Sequence, residues 1–182
     1  MSPVHGAAKI SAGCVVHMCA LMQLFVIRHA IAADALPGEP DDQRPLTPQG
    51  RKKFVSAVRG MERLEIRVDR VLTSPWKRAL ETAELMSPIA QRPLEKTREL
   101  TIEPGAALLE VIERHGAHGP IAVVGHRPWI GELVSLLVTG DVRSGASFEM
   151  KKGALAWLEG DPRPGGMSLV AQLPPSVLRA LA

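Results

Sequence analysis

An arginine and a histidine stand side by side at the end of a short apolar run: Leu24-Phe25-Val26-Ile27 is followed by Arg28-His29-Ala30. A guanidinium carries a permanent positive charge. An imidazole can attack an electrophile or relay a proton near neutral pH. Together they suit an anion, a phosphoryl group above all. Two more residues share this placement. Arg78 stands downstream of Val71-Leu72, just after Ser74-Pro75, and His126 follows Ile121-Ala122-Val123-Val124-Gly125. Two guanidiniums can clamp the non-bridging oxygens of one phosphoryl group through paired hydrogen bonds. Taken singly, each residue also has an ordinary reading: Arg28 and Arg78 as surface charges, His29 as a satisfied buried histidine, His126 as a helix cap. Two histidines could bind zinc, but two arginines in the same pocket repel a cation. No carboxylate or thiol stands at companion spacing, so neither a metal nor a cofactor is expected.

The elements that must position these groups alternate between strand and helix. Leu24 to Ile27 reads as the first strand. A loop rich in Pro, Gly and Asp runs from Asp34 to Pro45, and Thr47-Pro48 then starts a helix, with Thr as cap and Pro in the first turn. Phe54, Val55, Val58 and Met61 mark its buried stripe. Val71-Leu72 is the next strand, and Ser74-Pro75 repeats the cap-then-proline signal. Trp76, Ala79, Leu80, Ala83 and Met86 recur at helical spacing and are expected in the core. Arg78 falls off that stripe and points to the sheet edge. Leu94 to Leu100 holds an edge strand and a turn. Ala107, Leu108, Val111 and Ile112 mark a third helix that Gly116 stops. Ile121 to Val124 has no polar residue, as a central strand requires. A helix over Trp129 to Val138 follows, burying Ile130, Leu133, Val134 and Leu137. Phe148 to Leu158 and Met167 to Leu173 read as a hairpin around a turn at Gly160 to Gly166. This pattern predicts a three-layer α/β/α sandwich whose mostly parallel central sheet ends in an antiparallel C-terminal hairpin. With right-handed crossovers the three strands that precede these residues run parallel. Residues 28, 29, 78 and 126 then project from one carboxyl edge, where open α/β sheets bind ligands.

Composition narrows the field. The chain has 182 residues, 46% of them hydrophobic, and a net charge of +3. That length fits one domain with a proper core, and the charge is too weak to argue for nucleic acid. Aromatic residues are scarce and Tyr is absent, which leaves no base-stacking platform. No run approaches a membrane span. Both cysteines, Cys14 and Cys19, precede Met22. The rest of the chain therefore carries no disulfide framework and reads as cytoplasmic. Cys14, His17 and Cys19 fall short of four closed metal ligands and read as a chance cluster. Ser11-Ala12-Gly13-Cys14 likewise lacks the apolar stretch of a lipoprotein signal. Residues 1–21 are expected to be a loose extension or a misplaced translation start, and 22–182 the single folded domain.

Arg28-His29-Ala30, Leu46-Thr47-Pro48-Gln49-Gly50, Ser74-Pro75-Trp76-Lys77-Arg78-Ala79 with Thr82-Ala83, and Gly125-His126-Arg127-Pro128 resemble the ordered motifs of the histidine phosphatase superfamily, which has the phosphoglycerate mutase-like fold. The likeness runs from Met22 to about Leu137. The short stretch between Met86 and Ile121 resembles the compact SixA-type protein phosphohistidine phosphatases, which lack a helical insertion there. The resemblance implies that His29 is the nucleophile, that Arg28 and Arg78 bind the phosphoryl oxygens, and that His126 hydrogen-bonds to the transferring group. Glu81 stands where many members carry Gln, and Arg127 where many carry Asn. Glu99 and Glu103 lie in the part of the chain where ester-cleaving members place a general acid.

The reading that follows is a metal-independent phosphohydrolase acting on protein phosphohistidine through a phosphohistidine enzyme intermediate. The partner would be a phosphotransfer domain or a phosphocarrier. A small-molecule phosphomonoesterase or mutase is the alternative enzyme, and a non-catalytic phosphoprotein-binding module the alternative of another class. An intact His29 argues against the module.

Overall fold

The computed structural model describes residues 21–182. The expectations placed on Ser11, Cys14, His17, Cys19 and the extension up to residue 20 lie outside the described residues. Six strands form one sheet: β1 (Met22–Arg28), β2 (Arg70–Thr73), β3 (Glu95–Lys96), β4 (Ile121–Gly125), β5 (Leu155–Gly160) and β6 (Met167–Leu173), in the order β3-β2-β4-β1-β5-β6. β3, β2, β4 and β1 are parallel. β5 pairs antiparallel with β1, and β6 with β5.

Alternation along β1 divides the core, because successive side chains leave opposite faces of a strand. Phe25 and Ile27 pack with Phe54, Val58 and Met61 of α1 (Pro48–Arg63), Ala79 and Ala83 of α2 (Lys77–Glu84), and Leu178 of α5 (Pro175–Ala180). Leu24 and Val26 pack on the other side with Ile112 of α3 (Ala106–Gly116) and with Ile130, Leu133 and Leu137 of α4 (Trp129–Thr139). The result is the mixed, three-layer α/β sandwich the alternation predicts. β4, central in the sheet, is buried at every residue.

Local chemistry explains how the motif elements begin. The Thr47 hydroxyl accepts from the Gly50 amide at 2.9 Å and caps α1. A Cβ at Gly50 would stand 2.2 Å from the Ile31 carbonyl oxygen, so glycine lets the start of α1 seat against the loop that follows β1.

Several expectations are corrected. Val55 is exposed, and Ala57 takes its place in the α1 stripe at positions 54, 57, 58 and 61. On α3, Ala107 is exposed and Leu109 turns inward. Trp76, expected in the core, is only half-buried. It sits one residue before α2, where the backbone is still extended. The chain from Val142 to Phe148 coils as 3-10 turns on α4 rather than extending, so β5 begins at Leu155 and not at Phe148. The close packing of Gly131 on the Gly145 carbonyl, 2.7 Å from where a Cβ would lie, fixes that turn. The short α5 was not foreseen. Its single apolar anchor, Leu178, gives too little periodicity to detect.

Candidate active site

Parallel pairing places the first motif beside the last. Arg28 is the register partner of Gly125, and the His29 amide donates to the Gly125 carbonyl at 3.1 Å. His29 and His126 thus leave neighbouring strand ends, and their ring centroids lie 5.2 Å apart. Arg78 arrives from α2. Thr82, one turn further along, ties it to β1: its hydroxyl donates to the Arg78 carbonyl at 2.6 Å and accepts from the Ala30 amide at 3.0 Å. Arg28, His29, Arg78 and His126 line one open cup, joined by Asp41, Arg44, Trp76, Arg127, Trp129 and Lys152. The structure therefore brings all four sequence-selected residues together.

The hydrogen bonds fix how each group is presented. His29 Nδ1 lies 2.7 Å from the Ala30 carbonyl oxygen. A carbonyl can only accept, so Nδ1 carries the proton and Nε2 keeps its lone pair. His126 Nε2 meets the Ser74 hydroxyl at 2.8 Å, while its Nδ1 is buried and bonded to no protein group. Arg28 donates from Nη1 to the Met150 carbonyl at 2.6 Å. Arg78 donates from Nη1 to the Asp41 carbonyl at 2.5 Å and from Nη2 to the Asp41 carboxylate at 2.8 Å. The Nε–H of each arginine is buried without a partner. Buried donors are almost always satisfied, and these unpartnered groups belong to residues that line the cup, where two guanidiniums suit an anion.

Charge agrees with this. Burial lowers the His29 imidazole to about 3, aided by Arg78 and Arg28 and opposed by the Ala30 hydrogen bond. Burial again, then the proximity of His29, Arg78 and Arg28, lowers His126 to about 2. Both rings are neutral at pH 7. The guanidiniums, their pKa values also lowered chiefly by burial, remain cationic. Such an arrangement offers a neutral nitrogen nucleophile within a positive field.

Sequence reasoning missed several members of the cup. Trp76 stacks at 4.5 Å on His126, and the Arg78 guanidinium lies 4.7 Å from the Trp76 ring centroid. Ser74, expected as the cap of α2, instead accepts from the Trp76 amide and holds His126. Its position directly after β2 carried the signal, since His29 and His126 also follow strands. Asp41 lay within a loop read only as Pro-, Gly- and Asp-rich. Neither Glu99 nor Glu103 lines the cup. Glu99 accepts from the Thr97 hydroxyl, and Glu103 lines a neighbouring cavity of about 400 Å³ that shares Arg28, Arg127 and Pro128 with the cup. Glu81 accepts from the Leu46 amide at 2.7 Å and pairs with Arg51 at 2.8 Å, a structural role. Arg127 is largely exposed and pairs with Glu149 at 2.8 Å. Among the described residues no group of three potential metal ligands clusters.

Residues 24–103 match the family model of the histidine phosphatase superfamily (branch 1). An uncharacterized protein of Picosynechococcus is 30% identical over 75% of this chain and 84% of its own length. Phosphohistidine phosphatase SixA of Escherichia coli is 31% identical over 66% of this chain and 76% of its own length. A solved structure of the protein histidine phosphatase SixA complexed with tungstate superimposes with a TM-score of 0.70 at 28% identity, covering 86% of this chain and 99% of that one.

Proposed function

The chain belongs to the histidine phosphatase superfamily and is a phosphatase, and on that premise we propose that it removes phosphoryl groups from phosphohistidine on a protein. The substrate ring takes a proton from solvent on its free nitrogen, His29 Nε2 attacks phosphorus, and the P–N bond breaks with its electron pair staying on the substrate ring, which leaves as neutral imidazole. Arg28 and Arg78 hold the non-bridging oxygens as charge builds in the transition state. His126 Nδ1, with no protein partner, donates to one of them. Water then attacks the His29 phosphoryl group in line, and phosphate departs.

The observation that carries this substrate class is the state of Asp41, the one carboxylate lining the cup among the described residues. Burial works to raise it, but hydrogen bonds and charge from Arg78 and Arg44 prevail and hold it below the usual carboxylate range. It is therefore ionised and is no proton donor to a leaving group. An imidazole, whose conjugate acid has a pKa of about 6.5, leaves without such help far more readily than an alkoxide. The related SixA proteins, named for phosphohistidine, support the same class.

A small phosphate ester is the second reading, and one observation favours it. Glu132 lines the cavity next to Arg28, and burial, then Glu103, raises its carboxyl. Competition settles the choice. With a phosphohistidine protein and p-nitrophenyl phosphate in one assay, the phosphohistidine protein is expected to be consumed with the far larger kcat/KM, and Glu132→Gln to leave that rate intact. Preference for the ester, lost on Glu132→Gln, would establish the second reading instead.

A further inference from the structure

A cavity of about 420 Å³ opens beside the cup, between α1, α5 and the turn at Lys151–Gly153. Arg28 and Lys152 line both hollows, so the two adjoin. Its charge is of one sign. Arg28, Lys53, Lys151, Lys152 and Arg179 line it, and no carboxylate does. Composition does not force this density, because the whole chain carries only +3. Among the described residues none of these five cations forms an ion pair. They contrast with Arg44, Arg51, Arg70 and Arg92, each paired with a carboxylate. The wall beneath is apolar, with Ile31, Phe54 and Pro175.

Like charges gathered without counter-charges repel one another and destabilise the face that holds them. Their placement is complementary to an anion. The cup already takes the phosphoryl group, and the basic cavity lies alongside it. We propose that this cavity docks an acidic segment of the substrate protein, carboxylate side chains that flank the phosphohistidine. The inference rests on the protein-phosphohistidine reading above and deepens it. Arg28 then serves both hollows, touching the phosphoryl group on one side and the acidic flank on the other. The three cations outside the cup, Lys53, Lys151 and Arg179, select substrate without touching the reacting atoms. Each contact of this exposed kind is weak alone. Several acting together change affinity and encounter rate appreciably, and salt screens them over about 8 Å at physiological ionic strength.

The test uses two phosphohistidine peptides of the same length, one with aspartates flanking the phosphohistidine and one with asparagines in their places. The wild-type chain is expected to favour the acidic peptide by about tenfold in kcat/KM, the difference lying in KM. High salt should erase that preference. In the Lys53→Ala, Lys151→Ala, Arg179→Ala triple variant the ratio should fall to about one. Because the ratio compares two substrates on one protein, partial unfolding of the variant cancels from it. Equal rates on the two peptides in the wild type, or a preference the triple variant retains, would overturn the docking role while leaving the phosphatase reading standing. Hydrolysis of neither peptide would sink the phosphohistidine reading, and this inference with it. Binding of the wild type but not the triple variant to phosphatidylserine vesicles, with no preference between peptides, would reassign the cavity to a membrane surface.

Discussion

The hydrogen bond from His29 Nδ1 to the Ala30 carbonyl leaves Nε2 as the nitrogen free to react, and burial, working against that bond, keeps the ring neutral. His29→Ala is therefore expected to abolish turnover with the fold retained, read by steady-state assay and circular dichroism. Arg28→Ala and Arg78→Ala should each cost about 2–4 kcal/mol of transition-state stabilisation, the range for removing one preorganised oxyanion donor, measured as loss of kcat/KM. The two imidazoles also make the fold acid-sensitive. Their native values are about 3 and about 2, against about 6.5 in an unfolded chain. Below pH 6.5 the unfolded state binds protons that the native state refuses. Stability from this source is complete above pH 6.5 and drains away as pH falls toward the native values. The slope is about 1.4 kcal/mol per pH unit for each ring. Urea midpoints measured from pH 7.5 down to 4 should fall accordingly, and His126→Gln should flatten the trend. Activity should show no loss near pH 6.5 from protonation of the free enzyme's His29.

Elements bring distant residues to the cup through a few bonds that can be cut one at a time. Removing the α1 cap with Thr47→Ala should cost about 1 kcal/mol. Gly50→Ala should cost more, because the added methyl would meet the Ile31 carbonyl at 2.2 Å. Chemical denaturation ranks the two. Thr82→Val removes the bond that joins α2 to the Ala30 amide after β1, and with it the bond from the Thr82 hydroxyl back to the Arg78 carbonyl. It is expected to lower kcat beyond its effect on stability, since Arg78 loses its tether to His29. The strand-helix alternation, the four motif residues and the Thr47-Pro48 start were legible in the sequence because each rests on local spacing. The Ser74 contact, the Asp41 pairing and the Trp76 stack were not, for they depend on which strand ends become neighbours. Period alone also misassigned Val55 and Ala107. Each lies beside a buried position, and only the packing of a helix decides which adjacent apolar residue turns inward.

Across the whole molecule, chemistry and core share the same strands. β1 and β4 lie at the centre of the sheet, flanked by apolar layers on both faces. No helix among the described residues is long and apolar enough to cross a membrane. The charges of the cup belong to the protein itself, so chelators are expected to leave the phosphatase rate unchanged, and a loss on EDTA restored by zinc would contradict that. The amide of His29 is bonded to β4, and the Gly153 amide lies between the carbonyls of Arg28 and His29. Hydrogen exchange at His29 should accordingly rank among the slowest in the chain. An enzyme whose nucleophile hangs from a peripheral loop can lose its competence on warming long before it melts. Here the proposed nucleophile is anchored to the central strands of the sheet, so thermal inactivation and melting are expected to trace a single curve.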